Sequence, residues 1–225
     1  NAYWTCSDCH KYYSDAEGKN PIIDMEKLIV PKKAHQLNSE GLCILCKTKP
    51  NLTTPFTDVP ETAYYKKATE WAFNAKPQIT DGNGKDKFMP EQICTRGQVV
   101  TFLWRALGEP EPKTTANPFT DVKTSDYFYK PVLWAVEQGI TDGTAPDKFS
   151  PKTTCKNSHI LTFIWRALGK PDDTGNAVWY QDAYNWAVKN HLLDGTYTGT
   201  YDINAQCPRK NVVQYLYVYY TMAAK

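Results

Sequence analysis

The chain repeats itself, and the repetition restricts its fold more than any other feature. Cys94-Thr95-Arg96-Gly97-Gln98 opens an apolar stretch that ends at Leu107-Gly108. Cys155 opens a second, ending at Leu168-Gly169, and Cys207 opens a third that runs from Pro208-Arg209 to Tyr220. Upstream, Phe56-Thr57-Asp58-Val59 matches Phe119-Thr120-Asp121-Val122, and Trp71-Ala72 matches Trp134-Ala135 and Trp186-Ala187. Ile79-Thr80-Asp81-Gly82 matches Ile140-Thr141-Asp142-Gly143 and, more loosely, Leu192-Leu193-Asp194-Gly195. Phe88-Met89-Pro90 matches Phe149-Ser150-Pro151, with only Tyr201 left in the third copy, which has also lost its linker and its Phe-x-Asp-Val opening. Units of this size are single supersecondary elements that bury their apolar faces against one another.

Each copy reads as two helices. Tyr64, Ala68, Trp71 and Ala72 fall on one helical face in copy one. Pro131 takes the place of Ala68 in copy two, so that helix begins only a residue or so before it. The second helix is better marked. Thr95-x-x-Gln98 is a capping box, Val99, Phe102, Leu103, Ala106 and Leu107 form an apolar stripe, and Gly108 stops the helix. Ile160, Phe163, Ile164, Ala167 and Leu168 repeat the stripe in copy two, and Val212, Tyr215, Leu216, Tyr219 and Tyr220 in copy three. Three such helices predict a shared central bundle. Trp104 and Trp165 belong between helices, and Cys94, Cys155 and Cys207 read as buried small hydrophobes. Between copies one and two, Glu109 to Pro118 is a polar, proline-rich, extended linker. Asp81-Gly82-Asn83-Gly84-Lys85-Asp86 reads as a turn. As a calcium loop it fails, because Lys85 stands where an oxygen ligand is needed.

Four of the seven cysteines form two Cys-x-x-Cys pairs, Cys6/Cys9 and Cys43/Cys46. Such pairs supply four thiolates to a tetrahedral structural zinc, and a segment this small needs a staple of that kind. Disulfides are the alternative. Tyr3 to Lys19 resembles a short cysteine-pair module of Gram-positive surface proteins. The domain reading is a zinc-ribbon-like segment over residues 1–52, then repeats over 53–111, 112–172 and 173–225.

The chain of 225 residues is 41% hydrophobic with a net charge of +2, so it is a folded protein without a basic nucleic-acid surface. No apolar run approaches the roughly 20 residues of a membrane span. The start shows no signal-peptide pattern, and Asn1 reads as the edge of a fragment or mature chain. No Ser/His/Asp order, His-Glu-x-x-His or glycine-rich phosphate loop is present, so the chain does not read as an enzyme.

Taken together, Phe-x-Asp-Val, Tyr…Trp-Ala, Ile-Thr-Asp-Gly, Phe-x-Pro and Cys-Thr-Arg-Gly-Gln…Trp-Arg-Ala-Leu-Gly resemble tandem S-layer homology modules over residues 53 to 225. The resemblance implies a mainly α, pseudo-threefold, three-pronged fold around a central helix bundle. It also implies non-covalent anchoring at the cell surface to secondary cell-wall polysaccharide, often pyruvylated. The family's ligand-binding tetrad is here Thr95-Arg96-Gly97-Gln98.

An arginine in a first helical turn opposes the helix dipole and makes sense where an anion is expected. Arg96 offers a planar fork for a carboxylate. A pairing with Asp58 or Asp81 of the same protein is the alternative. Copy two has Lys156-Asn157-Ser158-His159 and copy three Pro208-Arg209-Lys210-Asn211, so Arg209, Lys156 and Asn157 are weaker candidates beside Thr95, Arg96 and Gln98. Trp71, Trp134 and Trp186 are candidates for stacking on sugar rings, although their helical spacing also suits a core. A rival function is a protein-interaction scaffold whose copies two and three have drifted from sugar to protein.

Overall fold

The computed structural model describes Trp4–Thr5, Tyr12–Tyr13 and residues 53–223. The chain divides into two compact units, Asn1–Ala34 and His35–Lys225. In the first, strands β1 (Trp4–Thr5) and β2 (Tyr12–Tyr13) pair antiparallel, with Trp4 opposite Tyr13. Cys6, Cys9, Cys43 and Cys46 lie outside the described residues.

The second unit is mainly α. Its described residues form α1 (Lys66–Asn74), α2 (Arg96–Ala106), α3 (Tyr129–Glu137), α4 (Asn157–Ala167), α5 (Gln181–Lys189) and α6 (Arg209–Ala223). Two helices fall in each repeat. Pro131 sits in the first turn of α3, where its missing N–H costs nothing. Around α2 the capping box is complete. Thr95 accepts from the Gln98 amide, and the Gln98 side chain accepts from the Thr95 amide at 3.0 Å. One expectation fails at α1, which begins at Lys66. Tyr64 therefore lies in the turn before the helix rather than on its inner face.

Within copies one and two, the Phe-x-Asp-Val segment clasps the loop that follows the first helix. Asp58 accepts from the amides of Phe88 and Met89, both at 2.8 Å, and Asp121 accepts from those of Phe149 and Ser150, both at 2.9 Å. The preceding phenylalanine packs over the loop glycine. A Cβ on Gly143 would lie 2.6 Å from the Phe119 ring and 2.4 Å from the Lys148 carbonyl, and Gly82 stands in the same relation to Phe56 and Lys87. Both glycines also hold positive φ, so a side chain is excluded twice over. Phe88 and Phe149 are fully buried beneath this clasp. Each contributes about 2–3 kcal/mol by leaving water.

The repeats are joined in a cycle. First helices pack on the second helix of another repeat: α3 on α2, α5 on α4 and α1 on α6. The second helices α2, α4 and α6 also touch one another pairwise. Just ahead of them the backbone closes a ring. The Cys155 amide donates to the Cys94 carbonyl at 2.8 Å, Cys207 to Cys155 at 2.8 Å, and Cys94 to Cys207 at 3.2 Å. All three cysteines are free and completely buried. Burial pushes the Cys94 thiol up to about 11 and the Cys155 thiol up to about 12. α6 is longer than α2 and α4, and its Tyr217 and Tyr220 meet Trp71 of copy one, with ring centroids 5.7 and 5.2 Å apart.

Candidate functional site at the junctions between repeats

The residue after each N-cap plugs the loop of another repeat. The Arg96 amide donates to the Thr153 carbonyl at 2.9 Å, which carries the side chain into the copy-two loop. There its Nε donates to the Phe149 carbonyl at 3.0 Å and an Nη donates to Thr141 Oγ1 at 3.4 Å. Its guanidinium lies 4.9 Å from the centroid of Phe149 and 5.4 Å from that of Phe163. Arg209 does the same in copy one. It donates to the carbonyls of Gly82 at 3.0 Å and Phe88 at 3.1 Å, and to Gln92 Oε1 at 2.7 Å. Both arginines are 4% exposed. The structure thus turns both forks inward onto carbonyls, a hydroxyl and an amide. Neither Asp58 nor Asp81 is a partner, because Asp58 is spent on the loop amides.

Asn157 is the third plug. Its Nδ2 donates to the Asp202 carbonyl at 2.9 Å. An asparagine cannot reach as far as an arginine, and the receiving loop has changed with it. Where the other loops place phenylalanines around a guanidinium, copy three has Tyr201 and Tyr215, whose hydroxyls bond each other at 2.9 Å. Polar atoms are therefore kept in the junction by two tyrosines instead of one arginine. At the head of α4, Lys156 offers no acceptor, and only half of a capping box survives. His159 Nδ1 accepts the Lys156 amide at 3.2 Å. Burial first, then the positive charges of Arg96 and Lys156, pull the His159 pKa down to about 4, so the ring is neutral at pH 7.

Trp71, Trp134 and Trp186 are each no more than 6% exposed. The helix face that their spacing marked is the core face. The exposed rings stand seven residues earlier, ahead of each first helix, and include Tyr64, which the spacing placed on the inner face. Tyr64 is 37% exposed, Tyr127 60% and Trp179 49%. Each precedes a more buried aromatic residue and meets it edge-on: Tyr64 on Tyr65, Tyr127 on Phe128, Trp179 on Tyr180, with centroids 5.0, 5.0 and 5.2 Å apart. The signal was available as an aromatic doublet before each first helix, since two adjacent residues there cannot both face the core.

Two of these rings rest on the third helical residue of another repeat's second helix. The Tyr64 hydroxyl donates to Asn211 Oδ1. Trp179 stacks on His159 with centroids 5.5 Å apart and planes 24° from parallel. Copy by copy, Gln98, His159 and Asn211 occupy this position. The capping position therefore backs an exposed ring, and Gly97 lets the neighbouring doublet approach. A Cβ there would be 3.0 Å from Phe128. Charge differs between junctions. Lys156 is exposed and its charge bears on His159, whereas Lys210 is engaged by Glu91 at 2.6 Å. Thr95 and Gln98 are half-buried and serve the cap. Among the described residues no group of His, Cys, Asp and Glu side chains could hold a metal ion, and no helix is long and apolar enough to cross a membrane.

The described repeats thus form a cycle of two-helix units, two of them clasped by Phe-x-Asp-Val, with a plug at each junction. Residues 118–156 of the chain match the family model of the S-layer homology domain. It is 35% identical over 126 residues, 53% of its length, to a cell surface protein of Thermoanaerobacter kivui, of which it covers 16%. It is 27% identical over 155 residues, 64% of its length, to the surface-layer 125 kDa protein of Lysinibacillus sphaericus, of which it covers 13%. It is also 25% identical over 201 residues, 76% of its length, to an endoglucanase of a Bacillus species, of which it covers 20%. The chain thus spans a fifth or less of the length of these relatives, and its place is the cell surface.

Proposed function

We propose that this chain is a non-enzymatic anchor that holds a surface protein on the cell envelope by binding a secondary cell-wall polysaccharide at the repeat junctions. The observation that carries the reading is the threefold recurrence of an exposed aromatic ring, Tyr64, Tyr127 and Trp179, at equivalent places between repeats. A ring with an apolar face and a fixed edge suits the apolar face of a pyranose. The junction with Trp179, His159 and exposed Lys156 accepts an anionic sugar, such as one bearing a pyruvate ketal, because the ammonium is there to meet a carboxylate. Arg96, Arg209, Asn157, Thr95 and Gln98 serve the same site from behind, by fixing the loops and helix ends that set the rings. Trp71, Trp134 and Trp186 support it from the core. The four N-terminal cysteines are proposed to hold one structural zinc. Elemental analysis returning less than about half an equivalent per chain would remove that part.

The test is co-sedimentation with cell-wall sacculi before and after the secondary polymer is stripped by acid. Tyr127→Ala and Trp179→Ala are the informative variants, since their exposed side chains can be removed without opening the core. Binding that requires the polymer and drops about tenfold or more in either variant, with unchanged thermal stability, supports the reading. Absence of binding to intact sacculi sinks it and turns attention to protein partners.

A further inference from the structure

The loop that receives Arg209 carries a residue pair with chemistry of its own. Asn83-Gly84 lies between Gly82 and Phe88, whose carbonyls share one Arg209 nitrogen. Both residues of the pair are exposed. The Asn83 side chain folds back over the backbone, and its Oδ1 accepts from the Lys85 amide at 3.2 Å. This Asx turn holds the side-chain carbonyl against the intervening Gly84 nitrogen and polarises it. The Gly84 amide itself is loosely held, by one bond of 3.4 Å to the Asp81 carbonyl. A Cβ at Gly84 would meet nothing within 4 Å, so the approach is open. Two other asparagines among the described residues make the same turn. Asn117 accepts from the Phe119 amide and Asn176 from the Val178 amide, both at 3.0 Å. Pro118 follows the first and has no N–H to lose. Ala177 follows the second, and its methyl group crowds the nitrogen. The amides of Gly82 and Gly143, each preceded by an aspartate, are taken up by threonine hydroxyls at 3.1 Å. Thr144-Ala145 and Thr196-Tyr197 replace Asn83-Gly84 in copies two and three, so among the described residues the combination occurs once.

We propose that Asn83 is a self-modification site, and that its conversion to isoaspartate loosens the hold of α6 on the first repeat. The Gly84 nitrogen attacks Asn83 Cγ and forms a C–N bond. The Gly84 amide proton passes to solvent, and the side-chain nitrogen leaves as ammonia. The product is a cyclic succinimide, which water opens at either carbonyl. Attack at Cγ leaves ordinary aspartate. Attack at the main-chain carbonyl leaves an isoaspartyl link, with the backbone running through Cβ and Cγ. Overall, an amide and water become a carboxylate and ammonium, and no other reactant is needed. The isoaspartyl product adds one atom to a loop closed by the bond from the Asn83 amide to the Lys87 carbonyl at 3.0 Å. It also adds a negative charge between Asp81 and Asp86. The Gly82 and Phe88 carbonyls then stand at a changed separation, and one Arg209 nitrogen no longer satisfies both.

The experiment incubates the intact chain in mildly alkaline buffer beside a synthetic peptide of its residues 79–88. Peptide mapping by mass spectrometry follows a gain of about 1 Da, and methylation by an isoaspartyl methyltransferase reports the isoaspartyl product. Asn83 in the folded chain is expected to convert within tenfold of the peptide's rate, with Asn117 and Asn176 at least tenfold behind it. Conversion more than tenfold slower than in the peptide, or no faster than at Asn176, overturns the proposal. The converted chain, separated by ion exchange, should melt at least about 2 °C below fresh protein. Asn83→Thr, which installs the residue of copy two, should keep its melting temperature through the same incubation. Asn83→Asp, which has the charge without the extra backbone atom, should melt nearer to fresh protein than to converted. Equal melting of converted and fresh protein overturns the loosening, as does an equal fall in Asn83→Thr. An Asn83→Asp variant that melts with the converted chain overturns the role of the added atom.

Discussion

The guanidinium of Arg209 donates to the carbonyl of Phe88, 121 residues earlier in the chain, and so fastens the last helix to the first repeat. Arg96 makes the corresponding bond to Phe149 one repeat onward. Buried and bonded in this way, these arginines are structural pins whatever else they do. Arg209→Ala and Arg96→Ala should each cost about 2–4 kcal/mol, through lost bonds, lost ring contacts and carbonyls left without donors. For a domain of this size that lowers the melting temperature by roughly 5–15 °C. Lysine should not rescue either, because one ammonium cannot reproduce a planar fork aimed at several acceptors. Thermal unfolding by circular dichroism decides. A shift under about 2 °C in both variants would mean that the pins carry no stability, and loss of wall binding in them could then be read as a direct contact.

The loop glycines should separate cleanly. Gly143→Ala adds a Cβ 2.4 Å from a backbone carbonyl and 2.6 Å from the Phe119 ring, whereas Gly195→Ala meets nothing. Both sit at positive φ, so both carry the left-handed penalty of about 1 kcal/mol. Only Gly143→Ala must also displace the clasp. Its midpoint in urea should fall well below that of Gly195→Ala. Equal midpoints would show that the clasp yields without cost.

Acid should loosen the junction between copies two and three. The His159 pKa is held down at about 4, below the ordinary value for histidine, chiefly by burial. The folded state therefore binds this proton less readily than the unfolded chain. The stability linked to His159 is complete above about pH 6.5 and is lost as pH falls through the window down to about 4. Protonation at Nδ1 would also remove the acceptor for the Lys156 amide. After discounting for solvent at a half-exposed ring, the loss is about 1–2 kcal/mol. His159→Gln restores the residue of the intact capping box and does not titrate. Melting curves at pH 7 and pH 4.5 should show the wild type losing more than this variant. Parallel losses would place the acid sensitivity elsewhere.

The thiols on the ring offer a test of its closure. Buried and with raised pKa values, Cys94 and Cys155 should resist alkylation in native buffer at pH 8 and react fully in denaturant. Cys207, raised by the same cause, should behave alike. Site-resolved mass spectrometry after iodoacetamide would report each separately. Rapid native labelling of any one would mean that the hub opens.

Much of this architecture could be read from the residues, and what escaped has one cause. The second-helix starts, the Thr95–Gln98 box and the second-helix stripes are local, so spacing within a repeat specifies them. The destination of Arg96 is not local. Its polar partners, Phe149 and Thr141, belong to another copy, and nothing in the first copy distinguishes a fork aimed at a neighbour's carbonyl from one aimed at a ligand. Trp71 and Tyr64 show the same limit. Seven residues apart, they fit one helical face on paper, but the helix begins at Lys66 and leaves Tyr64 in a turn that faces out. The Asn157 plug and its Tyr201–Tyr215 counterpart are a matched exchange across repeats, visible only once the two are seen to meet.

The hydrogen-bonded circle of Cys94, Cys155 and Cys207 has a consequence for how such a chain comes into being. In an open solenoid the first unit could mature while the rest is still being made. Here the loop of the first repeat has no plug, and Trp71 no cover from Tyr217 and Tyr220, until the final helix has been synthesised. Closure spans well over a hundred residues and brings the slow ordering that distant contacts entail. A polypeptide with this wiring acquires its first repeat's plug and cover together, in one closing step that waits for α6.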